Sequence, residues 1–177
     1  MKITSKVLLF TIAASLTFFA CKKSKNDNTQ TLSSQDQAFI SKASLSNTAE
    51  IRAGALADST ADTAMIRSFG QQMVTDHITA QNDLKTLGSN LSVSVNDSAD
   101  AMHTALMDTL RGLSGRMFDS AYIINQIKDH QAAISDFQNE ISEGNQSDVI
   151  NYANKYLPTL QMHLQMADSI ATVMNFK

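Results

Sequence analysis

Ile123-Ile124-Asn125-Gln126-Ile127-Lys128-Asp129-His130-Gln131-Ala132-Ala133-Ile134-Ser135-Asp136-Phe137 sets Ile123, Ile127, Ile134 and Phe137 on one line of a 3.6-residue period. A run spaced in this way is a helix with one buried face, and His130 falls inside that face. Working outward, the period extends over about 115–143 with Ile141 on the same side, and Gly144-Asn145 reads as its stop. Ser147 is expected to cap a following helix, about 148–174, that turns Tyr152, Tyr156, Leu160, Ala167, Ile170 and Met174 inward. Pro158 lies inside that helix and is expected to kink it by removing one backbone hydrogen bond.

Upstream, two more long segments carry the helical period. Ser34-Gln35-Asp36-Gln37 has the form of a capping box and opens a helix to about Asp58, with Phe39, Ala43, Gly54 and Ala57 inward, flanked by Ile40 and Ile51. A break at Ser59-Thr60 precedes the next helix, about 61–88, which buries Ile66, Phe69, Met73, Leu84 and Leu87. Residues 89–98 read as loop. A short helix follows, about 99–112, with Met102, Leu106, Leu110 and then Leu113 on one side. The short connections make two antiparallel hairpins joined by a long crossover. The expected fold is therefore all-α, a four-helix bundle with a short extra helix between its second and third long helices. One proline and six glycines in 177 residues, with 43% hydrophobic residues, suit long helices around one core.

The polar residues on the buried stripes are the candidates for chemistry. At about 100° per residue, Glu50 lies on the inner face of the first helix, His77 of the second, His130 of the third and His163 of the fourth. Each long helix therefore sends one ionisable residue toward the bundle axis. Buried charge is costly unless paired or coordinated, and bundle cores hold metals on side chains of facing helices. Three imidazoles with one carboxylate would suit zinc, copper or iron. Counted from the interhelical turns, His130 and His163 share a layer, whereas Glu50 falls one or two turns short of His77. Asp76 and Asp129, each beside a histidine at the edge of the apolar face, are candidates to orient a neighbouring ring, as is Tyr156. Two readings stay open: a shared metal site, or histidines satisfied by one another, by Tyr152 or Tyr156, or by water. His103 lies off its helix's stripe and reads as a surface residue, and the methionines after Met1 as core filler. Met73-Val74-Thr75-Asp76-His77 is echoed by Gln126-Ile127-Lys128-Asp129-His130, one Asp-His per hairpin.

The N-terminus carries a different message. Lys2 and Lys6 precede Val7–Ala20, fourteen residues without charge, too short to span a bilayer comfortably. Cys21 follows at once, behind Phe18-Phe19-Ala20, and is the chain's single cysteine. The small residue before it resembles the bacterial lipobox, in which the thiol is acylated after cleavage. An ordinary secretory signal and an uncleaved anchor are the competing readings. The expected organisation is a lipoprotein signal at 1–20, a polar tether at 21–33, and a helical domain at 34–177 held to the membrane through Cys21, most commonly the outer membrane. Without residues 1–20 the chain has 12 basic and 17 acidic side chains, a net charge of −5. No basic stripe survives beyond Lys22, Lys23 and Lys25, which argues against a nucleic-acid partner.

The stretch from Asp36 to about Asp168 resembles the exported bacterial family called domain of unknown function 4142, grouped with ferritin-like folds. The resemblance rests on Asp36-Gln37-Ala38-Phe39, Met73–His77, Phe118-Asp119-Ser120-Ala121-Tyr122, Lys128-Asp129-His130 and Leu157-Pro158-Thr159-Leu160-Gln161-Met162-His163. It implies a ferritin-like bundle in an envelope protein with no assigned activity. Ferritin-like iron enzymes place Glu three residues before His on two helices. Here Val74, Ile127 and Leu160 stand three before the histidines, which argues against a ferroxidase. No nucleophile–base pair or phosphate-cradling loop supports a hydrolase or a nucleotide enzyme. Three functions compete: a metal-binding envelope lipoprotein, a structural or interaction module with no ligand, and, more weakly, an oxidoreductase built on the same site.

Overall fold

The structure, a computed structural model, describes residues 32–98 and 100–176. Cys21, the signal segment and most of the tether lie outside the described residues. Five helices follow in order: α1 Ser34–Thr60, α2 Ala64–Leu91, α3 Ala101–Arg111, α4 Gly115–Glu143 and α5 Ser147–Met174. The chain is all-α, with four long helices packed in pairs and the short α3 between α2 and α4. α1 packs along α2 and α4 along α5, and the two hairpins meet through α1 against α4 and α2 against α5.

Two buried aspartates join the hairpins, one at each end. Asp36, in the first turn of α1, accepts the backbone N–H groups of Asn145 at 2.8 Å and Gln146 at 3.1 Å in the α4–α5 turn. Asp119, in the first turn of α4, accepts from the N–H groups of Asp62 at 3.0 Å and Thr63 at 3.2 Å in the α1–α2 turn. Each carboxylate thus serves orphan donors at the N-terminus of a helix in the opposite hairpin, where the macrodipole also favours an anion. These contacts put the start of α1 beside the end of α4, and the start of α4 beside the start of α2. α2 and α4 therefore run parallel, and the crossover must return along the length of the bundle.

Residues 93–98 begin that return on the α1–α2 face. Ser44 Oγ donates to the Asn96 carbonyl at 2.6 Å and Arg52 to the Asp97 carbonyl at 3.2 Å. α3 then crosses onto α1 and α4. Its buried residues are Met107 and Leu110, while Met102 is 67% exposed. The stripe expected through Met102 is therefore rotated, because α3 rests on the bundle through its C-terminal half.

Other boundaries shift slightly. The capping box uses Ser33 as N-cap and Asp36 at N3, one residue before the expected Ser34 and Gln37, since Asp36 also reaches the α4–α5 turn. α2 starts at Ala64 and ends at Leu91, later than expected at both ends. Gln146, not Ser147, caps α5 through its side-chain oxygen, and α5 continues through Pro158.

α1 and α2 touch backbone to backbone at Gly54 and Gly70. A Cβ on Gly54 would stand 2.7 Å from the Gly70 carbonyl oxygen, and one on Gly70 would stand 2.6 Å from the Gly54 oxygen. Alanine would raise intrinsic helix propensity by about 1 kcal/mol. Backbone against backbone cannot yield, so overpacking of about 1–3 kcal/mol outweighs that gain. This close crossing brings the polar inner residues of both helices onto the bundle axis.

The core divides into two apolar clusters. One contains Ile66, Phe69, Met73, Phe118, Tyr122, Ile123 and Ile170. The other contains Phe39, Leu84, Phe137, Val149, Tyr152, Tyr156 and Leu160. Between them lies a polar waist. At the far end Glu140, fully buried and close to Asp36, has its carboxyl pushed up to about 7 by burial. Its folded value lies above the unfolded one, so ionisation costs nothing below pH 4.5 and costs progressively more as pH rises through about 7. Glu140→Gln carries no such cost. Relative to wild type it is expected to gain on the order of 2 kcal/mol at pH 8 and nothing at pH 4, read by urea unfolding at both pH values.

Candidate metal centre

The waist is built on one residue from each of three helices. His77 of α2, His130 of α4 and His163 of α5 are 3%, 1% and 0% exposed. Their ring centroids stand 5.8, 5.4 and 5.3 Å apart in pairs. Because α2 and α4 run parallel from the same end, two Asp-His motifs at similar depth in their helices reach one layer. One nitrogen from each ring can be chosen so that all three lie within 4.8 Å of one another.

Hydrogen bonds on the outside of the triad decide which nitrogen carries the proton. His130 Nδ1 lies 2.9 Å from the Gln126 carbonyl oxygen, which can only accept, so Nδ1 donates and Nε2 keeps its lone pair. His163 Nε2 lies 2.8 Å from Asp76 Oδ2, so Nε2 donates to the carboxylate and Nδ1 keeps the lone pair. His77 Nδ1 lies 2.9 Å from Asn47 Oδ1.

The Asn47 amide is itself oriented by a chain that starts on the crossover. Asp97 Oδ1 accepts from Gln81 Nε2 at 2.8 Å, which turns Gln81 Oε1 toward Asn47 Nδ2 at 3.2 Å. Asn47 Oδ1 is left to accept from His77, so His77 Nε2 keeps its lone pair. That atom is buried with no hydrogen-bond partner among the described residues.

All three lone pairs thus face the same small volume. His130 Nε2 and His163 Nδ1 are 3.3 Å apart with no proton left for a bond between them. Such an arrangement could hold a cation. Protons do not supply it readily: burial first, and the neighbouring rings second, hold His77 well below the ordinary imidazole range. Burial likewise lowers His130 and His163, against the support of Gln126 and Asp76 respectively. Two transition-metal–imidazole bonds of about 2.0 Å set their nitrogens about 3.3–3.5 Å apart, so the His130–His163 pair already has that spacing.

Glu50 stands differently from the histidines. Its Oε2 accepts from Gln126 Nε2 at 2.6 Å, and its Oε1 lies 3.9 Å from His130 Nδ1, the nitrogen facing away from the other rings. Burial pushes its carboxyl up to about 8, against the Gln126 donation. With the acid and the imidazole both neutral, that approach is not an ion pair. Depth explains the placement. From Ala64, His77 lies about 20 Å along α2, and the α1 residue at matching distance from Thr60 is Asn47, with Glu50 about one turn nearer the α1–α2 connection.

The other candidates separate clearly. Asp76 orients His163 from the neighbouring helix. Asp129 is half-buried, accepts from Asn125 rather than from a ring, and has its carboxyl raised by burial. Tyr156 donates to Asp83, away from the triad. Tyr152 is the tyrosine tied to the waist, accepting from Asn47 Nδ2 at 3.2 Å. His103, expected at the surface, has a side chain only 12% exposed, because its Nδ1 folds back 2.7 Å from Asp100 Oδ1. Asn47, Gln81, Gln126 and Asp97 are the residues around the triad that sequence reasoning missed. Three of them had a signal: Gln81 and Gln126 sit four residues from a core histidine on the same face, and Asn47 lies on the line of Ala43 and Gly54.

Comparison with known proteins comes to the same architecture. Residues 21–170 match the family described as Domain of unknown function (DUF4142). No curated protein matches the chain. Among solved structures, the crystal structure of a DUF305 fragment from Deinococcus radiodurans is similar, with a TM-score of 0.70 at 11% identity, over 82% of this chain and 98% of that one. At that identity the likeness shows the fold alone.

Nitrogen-15 NMR of the histidine-labelled, metal-free protein at pH 7.5 tests the assigned protons. His77 and His130 are expected as Nδ1–H tautomers and His163 as Nε2–H, all three neutral. An Nε2–H signal from His130 would mean that the lone pairs do not converge.

Proposed function

The chain belongs to the family described as Domain of unknown function (DUF4142), and we propose that it is a cell-envelope lipoprotein that binds one transition-metal ion, zinc, copper or iron, through His77, His130 and His163. The observation that carries the reading is the inward lone pair on each buried ring, with every outer nitrogen already donating to a fixed acceptor. Ligand imidazoles are ordinarily oriented in this way, and such outer partners raise the basicity of the ligating nitrogen. Asp76, Asn47 and the Gln126 carbonyl are those partners, and Glu50 stands behind His130 rather than among the ligands. A bundle whose histidines served packing alone would gain nothing by leaving His77 Nε2 buried and unbonded, since an unsatisfied buried acceptor costs about 1–3 kcal/mol.

The role that suits such a site is holding or buffering an ion. The rings are enclosed, and no substrate-sized opening is needed for an ion to be stored. The envelope setting rests on Lys2, Lys6, the uncharged run to Ala20 and Cys21. No helix among the described residues is long and apolar enough to cross a membrane, so on this reading attachment falls to the acylated Cys21. The polar tether at 21–33 would let the domain stand off the lipid surface, with the outer membrane as its site and no nucleic acid as partner. Cys21→Ala is expected to move the protein from the membrane fraction to the soluble fraction; unchanged membrane retention would remove the lipoprotein assignment.

The full chain, purified without a histidine tag, is expected to retain one equivalent of metal by inductively coupled plasma mass spectrometry. Free metal at 100 times its dissociation constant should stabilise the fold by about 2.7 kcal/mol, raising the melting temperature by several degrees. Asp76→Asn should weaken binding by about 10–100-fold, and His130→Ala should abolish it. A metal-free protein whose melting temperature ignores added zinc, copper and iron would leave a structural or interaction module of the envelope.

A further inference from the structure

The charge and geometry of the donor set restrict which ion fits, an inference that rests on the metal-binding reading above. All three converging atoms belong to neutral imidazoles. Every oxygen that accepts a hydrogen bond from a ring stands behind it, on the nitrogen that is not the ligand: Asn47 Oδ1 on His77 Nδ1, the Gln126 carbonyl on His130 Nδ1, and Asp76 Oδ2 on His163 Nε2. Glu50 approaches the same outer nitrogen of His130, at 3.9 Å. The two nitrogens of an imidazole point away from each other, so none of these oxygens can complete a coordination sphere inside the triangle without a ring turning over.

We propose that the triad takes a monovalent, three-coordinate ion, copper(I) or its surrogate silver(I), in preference to any divalent ion. Imidazole nitrogen suits zinc, copper, iron and nickel alike, so donor type does not choose between them. Coordination number does. Zinc held by three histidines keeps a fourth position for water, and here that water would have to enter a layer whose rings are 3%, 1% and 0% exposed.

Charge points the same way. The penalty for taking an ion out of water grows with the square of its charge, so a divalent ion costs roughly four times as much as a monovalent ion of equal size. Against that penalty the site offers no anionic ligand and a single carboxylate, Asp76, hydrogen-bonded to one ring.

The deciding experiment uses the metal-free full chain under anaerobic conditions. Copper(I) is titrated against a chromophoric copper(I) chelator, zinc(II) against a zinc indicator, and the copper(I) form is examined by X-ray absorption. The proposal expects one copper(I) per chain, bound roughly tenfold or more tighter than zinc(II). It also expects displacement by silver(I) and a shell of three nitrogens at about 2.0 Å with no fourth ligand. His77→Gln is expected to lose that shell; should the variant fail to fold, the wild-type shell decides. Tighter binding of zinc(II), copper(II) or iron(II), or a copper(I) shell with a fourth ligand, overturns the proposal while leaving a metal site. Failure of every ion to bind overturns both.

Discussion

Three lone pairs held toward one another in a dry layer are the constraint on which the rest of this bundle turns. Left to itself, a buried imidazole would rotate or change tautomer until both nitrogens were satisfied. Here the acceptors outside the triad forbid it: a helix carbonyl behind His130, a carboxylate behind His163, and behind His77 an amide whose own direction is passed down from Asp97 through Gln81. The waist is therefore polar on its outside and electron-rich at its centre, between two apolar clusters that keep water away.

The fold exists in a form that can hold this layer because the hairpins are locked at both ends and drawn together between them. Asp36 and Asp119 are reciprocal: each belongs to the first turn of one hairpin and binds the turn of the other. They set the relative height of the hairpins, and a slip of one helical turn, about 5.4 Å, would separate His77 from His130 entirely. Gly54 and Gly70 fix the lateral approach of α1 and α2, which brings Asn47 within reach of His77. The crossover, commonly the most variable part of such a bundle, is here part of the site, since Asp97 orients the chain of amides that ends on a ring.

Much of this was legible in the residues, and the shortfalls have physical causes. The 3.6-residue stripes located four long helices, and α4 has the expected bounds, because a strong apolar line ends at a glycine. The histidines were found because each lies on such a line. Glu50 shares their inward angle, and its shortfall in depth was already visible by counting from the turns; three residues of displacement at the start of α2 bring Asn47, not Glu50, level with His77. The roles of Asp36 and Asp119 could not be read, since their partners are backbone groups more than fifty positions away. Tautomers were beyond reach for the same reason: they follow from acceptors that only the packed helices bring to each ring.

A metal-loaded crystal, examined by anomalous diffraction at the absorption edge of the bound ion, tests the account most directly. One anomalous peak is expected at the bundle waist, about 2.0 Å from His77 Nε2, His130 Nε2 and His163 Nδ1, with Asp76, Asn47 and the Gln126 carbonyl still on the outer nitrogens. A peak elsewhere, or an ion bound after a ring has turned to offer its other nitrogen, would contradict it.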